Sequence, residues 1–212
     1  MTAALVLFMA AVVLPVFFGK TRAAPLWLGV QAVALAWVGV AQHGAQGWHA
    51  AWAVAEVLAL RGLLVPWWLR RALKRRAEPA GDLMPSNLFA WAVAVALVAL
   101  AFEFGAPASG GPQALTLGAV AATVVLALLV LATNTAPSAQ LVALLFMENA
   151  IALFESLQST AWPLPVHLAL GAVYVLTAAV GSALIGVPDQ PVAGAASDPQ
   201  ARPEAATSGV PT

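Results

Sequence analysis

Residues 114–133 read ALTLGAVAATVVLALLVLAT, twenty positions without one charged side chain. A helix rises about 1.5 Å per residue, so this stretch covers the roughly 30 Å of a bilayer's hydrocarbon core. Leu, Val and Ala fill it with no polar stripe at helical spacing, the pattern of a helix that is apolar all round. Applied outward from this stretch, the same test predicts six further spans: Thr2–Gly19, Ala23–Ala41, His49–Leu69, Asn87–Phe104, Gln140–Gln158 and Val166–Val187. The breaks Lys20–Arg22, Gln42–Trp48, Arg70–Ser86, Gly105–Gln113, Asn134–Ser138 and Ser159–Pro165 each contain charges, Gly, Pro or Asn, the usual punctuation between elements. The runs are too long for barrel strands and show no alternation. The expected fold class is therefore all-α: a polytopic membrane bundle over residues 1–187, followed by a tail.

Composition supports this reading. The 212 residues are 62% hydrophobic and 8% charged, with nine basic and nine acidic side chains and no net charge. Mean hydropathy is +0.89. A soluble domain carries about a quarter charged residues, so an ordinary soluble globule, a disordered protein and a nucleic-acid binder are all excluded. With no cysteine, the chain has no disulfide, thiolate zinc site, cysteine-ligated cluster or cysteine nucleophile. His43, His49 and His167 are too few and too scattered to suggest a metal site, and no cofactor is expected. Residues 188–212, rich in Pro, Ala, Gly and Ser, are expected to be disordered.

The first run lacks a positive n-region and a small-residue cleavage site, so it reads as a retained anchor. Lys20 and Arg22 follow span 1, and Arg70, Arg71, Lys74, Arg75 and Arg76 follow span 3, on the same side of the membrane. The positive-inside rule makes that side cytoplasmic, with the N-terminus outside and the tail inside. Trp48 and Trp52 at one end of span 3, and Trp67 and Trp68 at the other, fit interfacial belts.

Four ionisable residues fall within spans: Glu56 and Arg61 in span 3, Glu148 and Glu155 in span 6. Each costs a few kcal/mol or more near mid-bilayer unless paired, hydrated or neutralised. Arg61 lies nine residues before Arg70, about 13 Å from the boundary. That is too deep to snorkel fully, so it needs an acidic partner or a hydrated cavity. Glu56, five residues earlier, sits on a different face, so a partner on another helix is expected. Glu148 and Glu155 are seven residues apart and share a face. A buried carboxylate can take up and release a proton, so the two fit steps of a relay. They equally fit a static partner for Arg61 plus a boundary acid, the preferred reading for Glu155. Glu103 also reads as a boundary acid. Pro66, one turn after Arg61, is expected to kink span 3; such a kink can open a hydrated pocket near the charge, but it is also an ordinary feature of membrane helices, which is the preferred reading.

Two stretches carry a resemblance. Arg61-Gly62-Leu63-Leu64-Val65-Pro66 with the basic run from Arg70, and Leu145-Phe146-Met147-Glu148-Asn149, resemble motifs of the hydrogenase-4 component E family. These are small membrane subunits of formate-hydrogenlyase-type energy-converting hydrogenases. The resemblance covers the chain to about Val187, and residues 114–187 are similar to the three-helix K subunit of complex I. It implies a subunit of an ion-translocating complex in the cytoplasmic membrane, partnered by antiporter-like subunits and redox subunits. It also implies that Glu148 belongs to a polar axis for H⁺ or Na⁺. Arg61 stands where that family usually has lysine, and the last span offers no carboxylate, only His167, Tyr174 and Ser182. A purely structural membrane subunit and a stand-alone secondary transporter are the alternatives. The latter is disfavoured by the lack of repeat symmetry and of paired broken helices.

Overall fold

The computed structural model describes residues 1–43, 48–75, 83, 88–108, 112–157 and 164–185. Among them there is no β-strand, and seven helical rods follow one another. They are α1 (Thr2–Phe18), α2 (Ala24–His43), a continuous rod of α3 (Trp48–Glu56), a π-helical stretch (Val57–Leu64) and α4 (Val65–Arg75), then α5 (Leu88–Ala108), α6 (Pro112–Thr133), α7 (Pro137–Glu155) and α8 (Leu164–Ile185). Six are long and apolar enough to cross a membrane; α1 is apolar but, at 17 residues, shorter. The expected disorder of residues 188–212 and the position of Arg76 lie outside the described residues.

The helix ends differ from the predicted breaks for local reasons. α1 stops at Phe18 because Gly19 turns extended while its N–H still bonds Pro15 O at 2.9 Å. A Cβ on Gly19 would lie 2.5 Å from Pro15 Cα, so only glycine lets the chain turn this sharply towards α2. α7 begins at Pro137, earlier than the predicted Gln140. Asn134 Oδ1 accepts the Ala136 N–H at 2.9 Å, and proline is favoured in the first helical turn because its missing N–H would be unpaired there anyway. The third rod runs to Arg75, past the predicted end at Leu69. Leu69 and Ala72 stay buried while Arg70, Arg71, Lys74 and Arg75 point outward. Cations are favourable at a helix C-terminus, so the basic residues extend the helix rather than break it.

The π-helical stretch is the main departure from a regular rod. Val65 N–H bonds Leu60 O, five residues back. Pro66 explains the widening, because its ring would press on the Gly62 carbonyl in an α-helix and it brings no N–H of its own. The Gly62 oxygen instead lies against α2, 3.5 Å from where a Cβ on Gly29 would stand. Sequence reasoning expects a kink here; the structure inserts a wider turn and keeps the rod continuous.

Small residues let the helices approach closely. A Cβ on Gly105 would sit 2.8 Å from Ala114 O, and one on Gly118 would sit 2.5 Å from the Phe102 ring, so α5 and α6 cross nearly backbone to backbone. α5 packs mainly on α6 and turns Leu88, Phe89, Val95, Leu100 and Phe104 outward, as a lipid-facing helix does. Phe17 and Phe18 meet the Trp91 ring edge-on at 5.6 and 5.5 Å, tying the end of α1 to α5. α2, the π-containing rod, α7 and α8 pack around one another, and the polar residues collect between them.

Candidate functional site

The polar centre begins with Arg61, which the π-helical stretch carries into the bundle with 4% of its surface exposed. Its Nη1 donates to Asn149 Oδ1 at 2.8 Å and, more weakly, to the Glu148 main-chain oxygen at 3.4 Å. The guanidinium carbon lies 4.2 Å from the centre of the Tyr174 ring, a cation–π geometry. Asn149 Nδ2 donates in turn to Gln31 Oε1 at 2.8 Å. Gln31, Asn149 and Tyr174 are fully buried. One amide thus serves both neighbours: its oxygen accepts from the cation on one helix, and its nitrogen donates to α2.

No carboxylate lies within ion-pairing distance of Arg61 among the described residues. Of the two settings expected for Arg61, an acidic partner or a hydrated cavity, the first is not met among the described residues: a neutral amide, a carbonyl and an aromatic face surround the guanidinium. Glu148 turns its carboxylate towards α8, where Thr177 Oγ1 donates to Oε1 at 2.7 Å. Glu148 Oε2, Gln31 Nε2 and the Tyr174 hydroxyl are buried without a hydrogen-bond partner among the described residues. Buried polar atoms without partners are uncommon in folded proteins, and each calls for a specific explanation.

The other two intramembrane acids meet one turn or more away. Glu155 is the last residue of α7, at a helix boundary, but its carboxylate turns inward to His167 on α8. Nδ1 of that ring is 3.0 Å from Glu155 Oε1 and 3.3 Å from Oε2. Nε2 is 3.3 Å from Glu56 Oε2, within ion-pairing distance though not aligned as a hydrogen bond. Glu56 reaches the ring past Gly171, where a Cβ would come within 2.9 Å of its Oε1. His167, Gly171, Tyr174 and Ala178 recur at spacings of four, three and four, one face of α8. That face supplies the imidazole, a gap for Glu56 and the ring beneath Arg61.

The bundle therefore holds two columns of ionisable residues. On α7, Glu148 and Glu155 stand two turns apart, about 10 Å. On the third rod, Glu56 and Arg61 stand five residues apart. His167 joins the columns near one end, and Asn149 with the Glu148 carbonyl joins them in the interior. Glu103 is apart from both, exposed on α5. Sequence reasoning singled out Glu56, Arg61, Glu148 and Glu155 but not Gln31, Asn149, Tyr174, Thr177 or His167 as members of the site. No group of three potential metal-ligating side chains gathers among the described residues in a form that holds a metal ion.

Compared against protein-family models, curated proteins and solved structures, the chain matches none.

Proposed function

We propose that this chain is a small membrane subunit of a complex I-like or energy-converting hydrogenase-type complex, where it contributes part of a proton path and holds antiporter-like neighbours in place. The observation that carries the reading is the Glu148 carboxylate, set mid-helix between α7 and α8 with one oxygen on Thr177 and the other without a partner among the described residues. A group so placed can gain and lose a proton without dismantling its own support. Arginine stays protonated in essentially any protein setting, so Arg61 serves as a fixed charge beside the path and not as a carrier. The resemblance of residues 61–66 and 145–149 to motifs of the hydrogenase-4 component E family supports the rest of the reading, the partners and the source of redox energy.

The proposal predicts association. Purified in mild detergent from its own membranes, the chain should bring down large multi-helix subunits and redox subunits, identified by mass. A chain that purifies alone under conditions that preserve other membrane complexes would overturn the reading.

Orientation is part of the proposal. Lys20, Arg22, Arg70, Arg71, Lys74 and Arg75 cluster at one end of the bundle, which the positive-inside rule assigns to the cytoplasm. Because the chain has no cysteine, single introduced thiols report topology without background. Thr2→Cys should react with a membrane-impermeant maleimide on intact cells, whereas Lys74→Cys should react only after lysis; both positions are exposed. The reverse labelling pattern would invert the orientation.

A further inference from the structure

His167 presents a problem of proton counting. Its two ring nitrogens face carboxylates from two different helices, Glu155 at 3.0 Å and Glu56 at 3.3 Å. A neutral imidazole has one N–H and one lone pair. With both acids ionised, that lone pair would face carboxylate oxygen, so the group is satisfied only when it holds one further proton. The proton can sit on the ring or on either acid, and all three placements have the same net charge. A simple helix staple needs only one of these contacts. Here Gly171 omits its side chain, which leaves room for the second acid to approach.

We propose that His167 is a proton-transfer group linking the two columns, an assignment that rests on the proton-path reading above. The O–H bond of protonated Glu155 breaks as a bond to Nδ1 forms, giving an imidazolium between two carboxylates. Nε2–H, 3.3 Å from Glu56 Oε2 but not aligned on it, then turns onto that oxygen, and the N–H bond breaks as an O–H bond to Glu56 forms. One proton has moved from the α7 column to the third rod, the ring is left as the other tautomer, and no electron has been transferred. The starting tautomer returns when the Nδ1–H proton is lost and a proton binds Nε2, by exchange with water at a side chain that is 21% exposed. The sequence of steps runs equally in reverse.

The test uses membranes carrying the assembled complex, with coupled proton movement read as the initial rate of pH-gradient formation. His167→Ala and His167→Gln should each lower that rate about 100-fold at unchanged assembly, and added imidazole should restore the alanine variant about tenfold. A glutamine variant that keeps the full rate, or an alanine loss that imidazole does not relieve, overturns the assignment. A second measurement is independent of transport and of whether the variants accumulate. In the purified full chain labelled with ¹⁵N-histidine, the two ring nitrogens of His167 should give exchange-averaged resonances as protons are shared. Discrete, static resonances together with active transport overturn this assignment alone. Averaged resonances in membranes where the unaltered complex moves no protons overturn the proton-path reading, and the transfer step with it.

Discussion

Asn149→Leu should destabilise the bundle by about 3 kcal/mol, because the substitution strips a buried cation of its best acceptor and a buried amide of its donor. Asn149 accepts from Arg61 at 2.8 Å and donates to Gln31 at 2.8 Å. Leucine occupies similar volume, so the loss comes from the two bonds and not from a cavity. The cost belongs to the charge left behind. Arg61→Met, which removes that charge, should cost less than Asn149→Leu, and the double variant should regain about 2 kcal/mol of what Asn149→Leu loses. Asn149→Asp should fall between, since it keeps an acceptor for Arg61 but gives Gln31 none of the donor it had. Thermal or denaturant unfolding in detergent measures all four. Additive losses in the double variant would mean that Arg61 and Asn149 are independent of each other.

The spans were legible because each is a long apolar run, and composition alone required that such runs cross a lipid phase. Helix ends were less so. The extension of α4 to Arg75 and the early start of α7 at Pro137 depend on which face is buried and on capping bonds, neither of which a hydropathy reading contains. The intramembrane charges stood out for the same reason the spans did: apolar surroundings make any charge conspicuous. Their partners did not. Gln31 offered a signal, an amide at the middle of span 2, as did the short connection that returns His167 towards Glu155. Thr177 offered none, since threonine is common in membrane helices and usually bonds its own backbone, as Thr123 does to Ala119 O at 2.8 Å. The π-helical stretch was hidden as well. Proline predicts a disturbance, but whether it appears as a kink or a wider turn depends on the glycine contact between α2 and the third rod.

The largest expected effect is on transport. Glu148→Gln should abolish coupled proton movement, lowering the initial rate of gradient formation in inverted vesicles by about 100-fold or more while the complex still assembles. The geometry makes this a clean substitution. The amide oxygen can accept from Thr177 Oγ1 as Oε1 now does at 2.7 Å, and the amide nitrogen takes the place of an oxygen that has no partner among the described residues. Shape and support are kept, and only the capacity to bind a proton is removed. A static role for Glu148 predicts the opposite, because an amide fills the same space and keeps the same bond. The charge-reversal pair sharpens the contrast. If Arg61 and the Glu148 carboxylate formed a simple ion pair, Arg61→Glu combined with Glu148→Arg would restore what either single change loses. The guanidinium instead bonds Asn149 and the main-chain oxygen of residue 148, an acceptor that remains whatever side chain stands there. An arginine at 148 would face Thr177 on α8, and a glutamate at 61 would face the Asn149 oxygen, so the double variant should assemble no better than the worse single variant. Full transport in Glu148→Gln would remove the residue from the path, and rescue in the double variant would restore the ion pair as the explanation.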